Sequence, residues 1–231
     1  MKTHKVETTY IDRKHFGTHI VRHKTDDPVY SPCSLARWLQ RHDYVVWDTE
    51  TTGLDEDSKI VSIGIVSKSG DVLVDSLINP GEHIPSDATG IHGVTDEMVA
   101  DAPTFAELYP QIRNALRGKV WVIYNKSYDI PRLEYECDRY YLPVIKPMID
   151  YKTSLRGFRD IGKEMTFCMM MAFAEKYGEW HDYFENYKWQ SLTTAAKYYG
   201  IQIENAHNAL ADAKMTLELV RHMALDENKR R

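Results

Sequence analysis

The sequence predicts an α/β domain built on a mixed β-sheet. Strand-like apolar runs come first, strands and helices alternate after them, and no internal repeat is present. With 43% hydrophobic and 27% charged residues, the composition is that of a folded globular chain and too apolar for wholesale disorder. A chain of 231 residues is long enough for one large domain, or for one domain with an appendage.

Four strands are predicted from short apolar runs. The first, Tyr44–Trp47, ends at an aspartate and suits a buried central strand. Ile60–Val66 and Val72–Ile78 are separated by a turn at Gly70, and this spacing predicts a hairpin. The fourth strand spans Val120–Tyr124.

Helices are predicted from capping residues and from the 3.6-residue period of apolar positions. Thr95 opens a short helix, and Thr104 and Glu107 form a capping box at the start of another. Pro110 inside that second helix predicts a kink or a shifted start. The other predicted helices span Ser34–Gln40, the segment after Asp129 with Pro131 in its first turn, Met169–Lys176, Leu192–Tyr199 and about Ala209–Ala224.

The chain divides into a main domain and flanking segments of different composition. Residues 1–40 form a polar N-terminal arm that ends in the short lead-in helix, residues 41–225 form the main domain, and residues 226–231 form a charged tail. Within the domain, residues 143–163 carry five Lys or Arg against two Asp. This basic insertion is either a contact for a phosphate backbone or a solvated loop, and the sequence leaves both interpretations open.

Three histidines of the arm have the spacing of a metal clamp. His15, His19 and His23 are four residues apart and would align on one helical face. Gly17 and the β-branched residues between them disfavour a helix. We therefore favour a solvated arm over a metal site.

Composition excludes several classes of protein. The net charge of −5 argues against a protein that coats nucleic acid through charge alone, although an enzyme reaches phosphates through bound cations. The longest apolar stretch, Cys168–Ala174, is too short for a bilayer, and the N-terminus has no apolar signal core. Three cysteines without a C-x-x-C pair give little support to disulfides or structural zinc. We expect a cytoplasmic protein that does not contact membranes.

Four acidic residues stand where carboxylates are costly for structure alone. Asp48 and Glu50 alternate after the first strand, so both side chains leave the same face and repel each other unless a cation neutralises them. Asp129 follows the fourth strand, and Asp212 lies early in the last helix, five residues after His207. Oxygen ligands without cysteine indicate Mg²⁺ or Mn²⁺. Four acids suffice for two such ions about 4 Å apart, which favours hydrolysis of a phosphodiester by water.

The order of these residues resembles the three motifs of the DEDD exonucleases. Asp48-Thr49-Glu50, Asn125-x-x-x-Asp129 and His207-x-x-x-x-Asp212 are similar to the histidine variety, the DnaQ-like 3′→5′ exonucleases. The words DTETTGL at 48–54, IHGVTDEMV at 91–99 and AHNALADA at 206–213 agree, and the resemblance covers about Trp47 to Val220. It implies a ribonuclease-H-like fold, a five-stranded mixed sheet flanked by helices. One departure is Tyr124, where many relatives have histidine.

The resemblance also implies a role for each motif residue. Asp48, Glu50, Asp129 and Asp212 would hold two Mg²⁺ or Mn²⁺ ions, and His207 would be the general base for the attacking water. The residues that would hold the 3′-terminal nucleotide are Thr49, Thr51, Thr52, Gly53, Leu54, Ile91, His92, Tyr124, Asn125 and Tyr128. Among them Leu54 would wedge against the terminal base and Tyr128 would stack or pack beside it.

We therefore expect a metal-dependent 3′→5′ exonuclease that shortens single-stranded DNA or short 3′ overhangs and releases nucleoside monophosphates. Trimming of RNA 3′ ends is the second interpretation, because the motifs do not separate the two polymers. A non-catalytic nucleic-acid-binding module on a polymerase is the third, and it ranks last because all five catalytic positions are intact. A polymerase or a repair or adaptation complex is the expected kind of protein partner, and some relatives pair as homodimers.

Overall fold

The computed structural model describes residues 32–150, 163–202 and 206–226. Residues 1–31 of the arm with the three clamp histidines, the cations Lys152, Arg156 and Arg159 of the basic insertion, and residues 227–231 lie outside the described residues, so their predicted roles stay predictions. None of the described helices is long and apolar enough to span a bilayer.

The described chain contains strands and helices in alternation. The strands are β1 (Tyr44–Thr51), β2 (Ile60–Ser67), β3 (Val72–Leu77), β4 (Val120–Ile123), β5 (Ile149–Asp150), β6 (Lys163–Glu164), β7 (Thr166–Cys168), β8 (Trp180–His181) and β9 (Asn186–Tyr187). The helices are α1 (Pro32–Leu39), α2 (Ser86–His92), α3 (Asp96–Val99), α4 (Phe105–Leu116), α5 (Lys126–Arg139), α6 (Met169–Tyr177), α7 (Leu192–Tyr199) and α8 (Ala209–Leu225).

Five of the strands form one mixed sheet in the order β3-β2-β1-β4-β7. β1, β2 and β3 pair antiparallel, whereas β4 pairs parallel with both β1 and β7. The carboxyl ends of β1 and β4 therefore meet at the same edge of the sheet. The predicted mixed sheet is confirmed, with Asp48 and Glu50 in the carboxyl half of its central strand β1 and Asp129 in the helix that follows β4.

Each face of the sheet is covered by an apolar layer. Val46 packs with residues of α1, α6 and α8, whereas its neighbours Val45 and Trp47 pack with residues of α4 and α5. The lead-in helix α1, which the sequence assigns to the arm, contributes the buried side chains of Trp38 and Leu39 to the first layer. Strand alternation therefore decides which helix each residue of β1 faces.

Most predicted element boundaries are confirmed, and three are corrected. β1 continues past its apolar run to Thr51, because its paired neighbours carry the ladder through the acidic residues. α5 begins at Lys126, so Asp129 lies in its first turn and Pro131 is inside the helix. α4 begins at Phe105 behind the predicted capping box, so Pro110 does not shift its start.

The pattern of apolar residues in the sequence does not predict α2. Ala88 is its buried residue, so there is no apolar period to detect. It ends at Gly93, which adopts the left-handed conformation with φ of 74° and closes the helix with a backbone hydrogen bond to Thr89.

The three cysteines of the chain are free thiols, as the sequence predicts.

Candidate active site

β1 and α8 bring three of the four predicted acids together. Asp48 and Glu50 share the strand face of Val46, which is the face covered by α8, and Asp212 lies in the first turn of that helix. One carboxylate oxygen from each of the three lies within 4.8 Å of the other two. The cluster thus joins the first and third motifs of the sequence.

The fourth acid, Asp129, approaches from the opposite face of β1. Thr49 alternates with Asp48 and Glu50 and therefore faces α5. Its backbone N–H and its hydroxyl both donate to Oδ1 of Asp129, at 3.1 and 2.7 Å. The side chain of Asp129 is buried and held in place before any cation binds.

The position of Asp212 depends on a glycine in the neighbouring strand. Gly64 of β2 pairs with Asp48, and a Cβ placed on it would lie 2.4 Å from the backbone N and Cα of Leu210. Only a residue without a side chain allows the first turn of α8 to lie this close to the sheet. Sequence reasoning missed Gly64, although a glycine inside an apolar strand is the signal of such an approach.

His207 lies beside the cluster, just before α8. Its backbone has φ of 66°, in the left-handed region that non-glycine residues seldom adopt. The next residue, Asn208, caps α8 by accepting the N–H of Ala211 at 3.1 Å. The imidazole is exposed and close enough to Asp212 and His92 to interact with both electrostatically. It therefore sits at the open side of the acids, as a general base requires.

The electrostatics of the cluster favour a bound proton or a bound cation. Burial raises the pKa of Asp48 well above its ordinary value, and the charges of the other three acids raise it further. Burial and the charges of Asp212 and Asp129 raise the pKa of Glu50 to about 8. Burial also raises the pKa of Asp129, although its two hydrogen bonds from Thr49 lower it in part. Burial likewise raises the pKa of Asp212, although the nearby His207 lowers it in part. Without a cation, several of these carboxyl groups hold protons at neutral pH.

The donor set fits divalent magnesium or manganese. All four side chains offer carboxylate oxygens, the ligands that these hard cations prefer. Oδ1 of Asp212 is buried and has no hydrogen-bond partner within the described chain. A buried carboxylate oxygen without a partner is costly, and a cation would satisfy it.

The predicted nucleotide-binding turn follows β1 directly. The hydroxyl of Thr51 donates to the carbonyl of Gly53 at 2.7 Å, and that of Thr52 accepts the N–H of Lys59 at 3.0 Å. The side chain of Leu54 is 81% exposed although the backbone around it is held by these bonds. A leucine this exposed is available to a ligand.

Ile91 and His92 of α2 lie on the same side as this turn. Nδ1 of His92 accepts the N–H of Val94 at 3.0 Å, so Nε2 carries the proton and donates to the carbonyl of Thr51 at 3.2 Å. Burial lowers the pKa of His92, which keeps the ring neutral. His92 thus links the chain after α2 to the end of β1, while the neighbouring Ile91 is 59% exposed.

The residues after β4 have more than one role. Tyr124 is buried in the core layer, and its hydroxyl donates to the carbonyl of Gln190 at 2.7 Å. Asn125 occupies the cap position of α5, where its side chain accepts the hydroxyl of Ser127 at 2.7 Å. These contacts account for both side chains within the fold, and a direct contact with a nucleotide stays a prediction.

Tyr128 of α5 is hydrogen-bonded to the turn after β1. Its hydroxyl donates to the carbonyl of Gly53 at 2.8 Å, and the guanidinium of Arg132 lies 4.2 Å from its ring centroid. Arg132 is a second residue that sequence reasoning missed. An arginine in the first half of an otherwise ordinary helix carries no signal of this contact in the sequence.

The sequence matches the profile of the exonuclease family RNase_T over residues 45–220. It is 38% identical over 189 residues to the uncharacterized exonuclease CP81 of Escherichia phage 186, which covers 81% of this chain and 91% of that protein. It is 30% identical to DNA polymerase III subunit epsilon of Escherichia coli K12, over 76% of this chain and 68% of that protein. Both alignments cover more than three quarters of this chain.

Solved structures share the fold. Exonuclease X in complex with 5′ overhanging duplex DNA aligns with a TM-score of 0.51 and 23% identity, over 79% of this chain and 92% of that chain. E. coli exonuclease I in complex with a dA16 oligonucleotide aligns with a TM-score of 0.57 and 16% identity, over 77% of this chain. This chain spans only 39% of the exonuclease I chain. The mixed five-stranded sheet is thus the ribonuclease-H-like fold that the motifs imply.

Proposed function

The chain belongs to the RNase_T exonuclease family, and we propose that it removes nucleotides one at a time from the 3′ end of single-stranded DNA or of a 3′ overhang, with two divalent cations. One observation carries this proposal. Three carboxylates from two distant segments of the chain, β1 and α8, converge within 4.8 Å, and one of their oxygens is buried without a hydrogen-bond partner among the described residues. Surface carboxylates have no reason to converge in this way.

The acids would hold the cations and the histidine would move a proton. Asp48, Glu50, Asp129 and Asp212 are the ligands, and Mg²⁺ or Mn²⁺ bound there would stabilise charge on the attacking and leaving oxygens of the displacement. The exposed imidazole of His207 accepts a proton from the attacking water. The water oxygen bonds to phosphorus, the bond from phosphorus to the 3′ oxygen of the preceding nucleotide breaks, and a nucleoside 5′-monophosphate leaves.

The turn after β1 would hold the terminal nucleotide. Leu54 and Ile91 are exposed apolar residues, and His92, the neighbour of Ile91, bonds the carbonyl of Thr51 three residues before Leu54. Apolar side chains beside a base contribute stacking or wedging contacts that do not depend on sequence. A site built this way accepts a free strand end and discriminates weakly among bases.

DNA is the proposed polymer because several relatives and neighbours name DNA or a DNA oligonucleotide. The exonuclease I neighbour is bound to a dA16 oligonucleotide, and one relative is a subunit of DNA polymerase III. A replicative polymerase is accordingly the proposed kind of protein partner. RNA trimming is the second candidate, and the experiment below separates the two.

Cleavage of 5′-labelled oligonucleotides tests the proposal. With Mg²⁺ or Mn²⁺ the labelled DNA strand should shorten in single-nucleotide steps, and with EDTA it should remain intact. A ladder on RNA alone would reassign the polymer, whereas cleavage that persists in EDTA, or cuts at internal sites only, would contradict the proposal.

Asp48→Ala and Asp212→Ala should each abolish this activity, because the remaining acids no longer hold both cations. Asp75→Ala is the matched control, since Asp75 is an exposed aspartate on the edge strand β3 of the same sheet. Near-normal turnover in either site variant would show that the assigned ligands are wrong. An unchanged far-UV circular dichroism spectrum shows that an inactive variant is still folded.

A further inference from the structure

We propose that Arg132 is a positioning residue for the terminal nucleotide, because it holds the turn that carries Leu54. The inference rests on the proposed function and adds to it a residue outside the three motifs. Arg132 lies on α5, the same helix as Asp129. One helix would thus align both an acid of the cluster and the surface that receives the strand end.

The guanidinium of Arg132 is committed to backbone carbonyls of the turn. Arg132 is only 6% exposed, and its Nη2 donates to the carbonyl of Leu54 and to that of Asp55, the latter at 2.9 Å. No carboxylate of the described chain lies within ion-pair distance of it, so an ion pair does not explain its burial. A buried guanidinium that bonds only to carbonyls fixes the positions of those carbonyls through the directions of its N–H groups.

Tyr128 completes this attachment one helical turn earlier. Residues 128 and 132 are i and i+4 on one face of α5, and the guanidinium packs 4.2 Å from the tyrosine ring centroid. The tyrosine hydroxyl donates to the carbonyl of Gly53 at 2.8 Å. The carbonyls of three consecutive residues, Gly53 to Asp55, are therefore bound from one face of α5.

The consequence is an exposed leucine on a fixed backbone. The side chain of Leu54 is 81% exposed while its own carbonyl is bound to Arg132. A binding group held in place before the ligand arrives loses less conformational entropy on binding. Lysine does not replace this arrangement, because an ammonium has no planar face to cover the Tyr128 ring and no second nitrogen to bond the carbonyl of Tyr128 while the first bonds the turn.

Steady-state kinetics on paired substrates tests the inference. One oligonucleotide ends in a normal 3′ nucleotide and the other in a 3′-terminal abasic residue, which offers no base to Leu54. The wild type should prefer the normal end. Arg132→Met should raise KM for the normal end by about tenfold, the loss expected for charged hydrogen bonds, with little change for the abasic end or in kcat.

A double-mutant cycle separates positioning from mere structural damage. If Arg132 acts through Leu54, Arg132→Met combined with Leu54→Ala should be no worse than Leu54→Ala alone. Arg132→Lys should recover little of the preference for the normal end. Arg139→Met is the matched control: Arg139 lies on the same helix, stacks on Tyr140 at 4.9 Å and donates to the carbonyl of Pro80 at 2.7 Å, away from the turn.

Amide hydrogen exchange gives a second readout that needs no activity. Arg132→Met should speed exchange in residues 52–58, and Arg139→Met should leave that segment unchanged. Unchanged exchange together with a retained preference for the normal end would overturn the inference and leave the proposed function standing. A wild type that never shortens a 3′ end would instead reject the proposed function, and exchange would still decide whether Arg132 holds the turn.

Discussion

The two sides of the acid cluster are built differently. On the α5 side, Thr49 donates twice to Asp129, and the carbonyls of the Leu54 turn are bound by Tyr128 and Arg132. On the α8 side, a buried oxygen of Asp212 has no partner within the described residues, and His207 is exposed in a left-handed conformation.

This difference indicates that the two sides of the cluster have different functions, substrate binding on the α5 side and the chemical step on the α8 side. On the α5 side, the carboxylate of Asp129 and the carbonyls of the turn are bonded to protein groups, so under the proposed function this side is preorganised to hold a strand end. The α8 side carries unsatisfied and unusual groups, which is the mark of residues whose partners arrive with cations and substrate. Perturbing the first side should weaken substrate binding, and perturbing the second should slow the chemical step.

The largest effect is expected at the general base. His207→Gln should lower kcat by about 10²- to 10⁴-fold, because proton transfer from the attacking water is lost. KM should change little, since the α5 side is intact. His222→Gln, further along α8, is the control. Rapid-quench measurement of single turnovers checks this, and an effect on KM alone would assign His207 to the binding side.

The next effect tests how closely α8 must approach the sheet. Gly64→Ala should displace the first turn of α8 and reduce activity by at least about 10²-fold, the loss typical of a misplacement near 1 Å. The added methyl should also lower stability by about 1–3 kcal/mol through overpacking. Gly90→Ala is the matched control, because a Cβ there meets nothing within 4 Å. Equal activity in both variants would contradict the assigned packing.

A smaller effect is expected on the fixed side. Thr49→Val removes one of two hydrogen bonds to Asp129 and should reduce kcat about tenfold, with half-saturation shifted to higher Mg²⁺ concentration, since a charged hydrogen bond contributes about 1.5–3 kcal/mol. Thr216→Val is the matched control, because the hydroxyl of Thr216 is buried and without a partner in the described structure. Identical Mg²⁺ titrations for both variants would show that Thr49 does not position Asp129.

The smallest effect is expected on the pH dependence of the protein's stability. Burial and repulsion raise the pKa of Glu50 from 4.5 to about 8. The folded protein therefore binds more protons than the unfolded chain across this window, so its stability falls as the pH rises through it. In EDTA the melting temperature should drop by several degrees between about pH 5.5 and about pH 8.5, since each pKa unit corresponds to about 1.4 kcal/mol.

Added Mg²⁺ should reverse most of this decline, because the cation binds the deprotonated acids of the folded state only. Glu50→Gln should melt higher than the wild type at alkaline pH in EDTA and gain less from Mg²⁺. A melting temperature in EDTA that is constant or rises over this pH range would contradict the assigned repulsion. Differential scanning calorimetry provides the measurement.

Local patterns predicted most of the fold. The capping box of Thr104, the end of α7 at Gly200 and the hairpin of β2 and β3 follow from short-range chemistry, and all three are confirmed. α2 escaped detection because a helix with Ala88 as its buried residue has no apolar period. β1 was predicted too short because its last residues are held by paired neighbours and not by apolar side chains.

The sequence by itself predicted the chemistry, through four acids and one histidine, and determined the family. Period two along β1 also determined that Asp48 and Glu50 share one face and Thr49 takes the other. Only the tertiary structure decided the distances, because segments far apart in the chain meet through packing. The contact of Gly64 with α8 and the reach of Arg132 to the Leu54 turn exist only in three dimensions. Neither depends on a local pattern that a sequence can display.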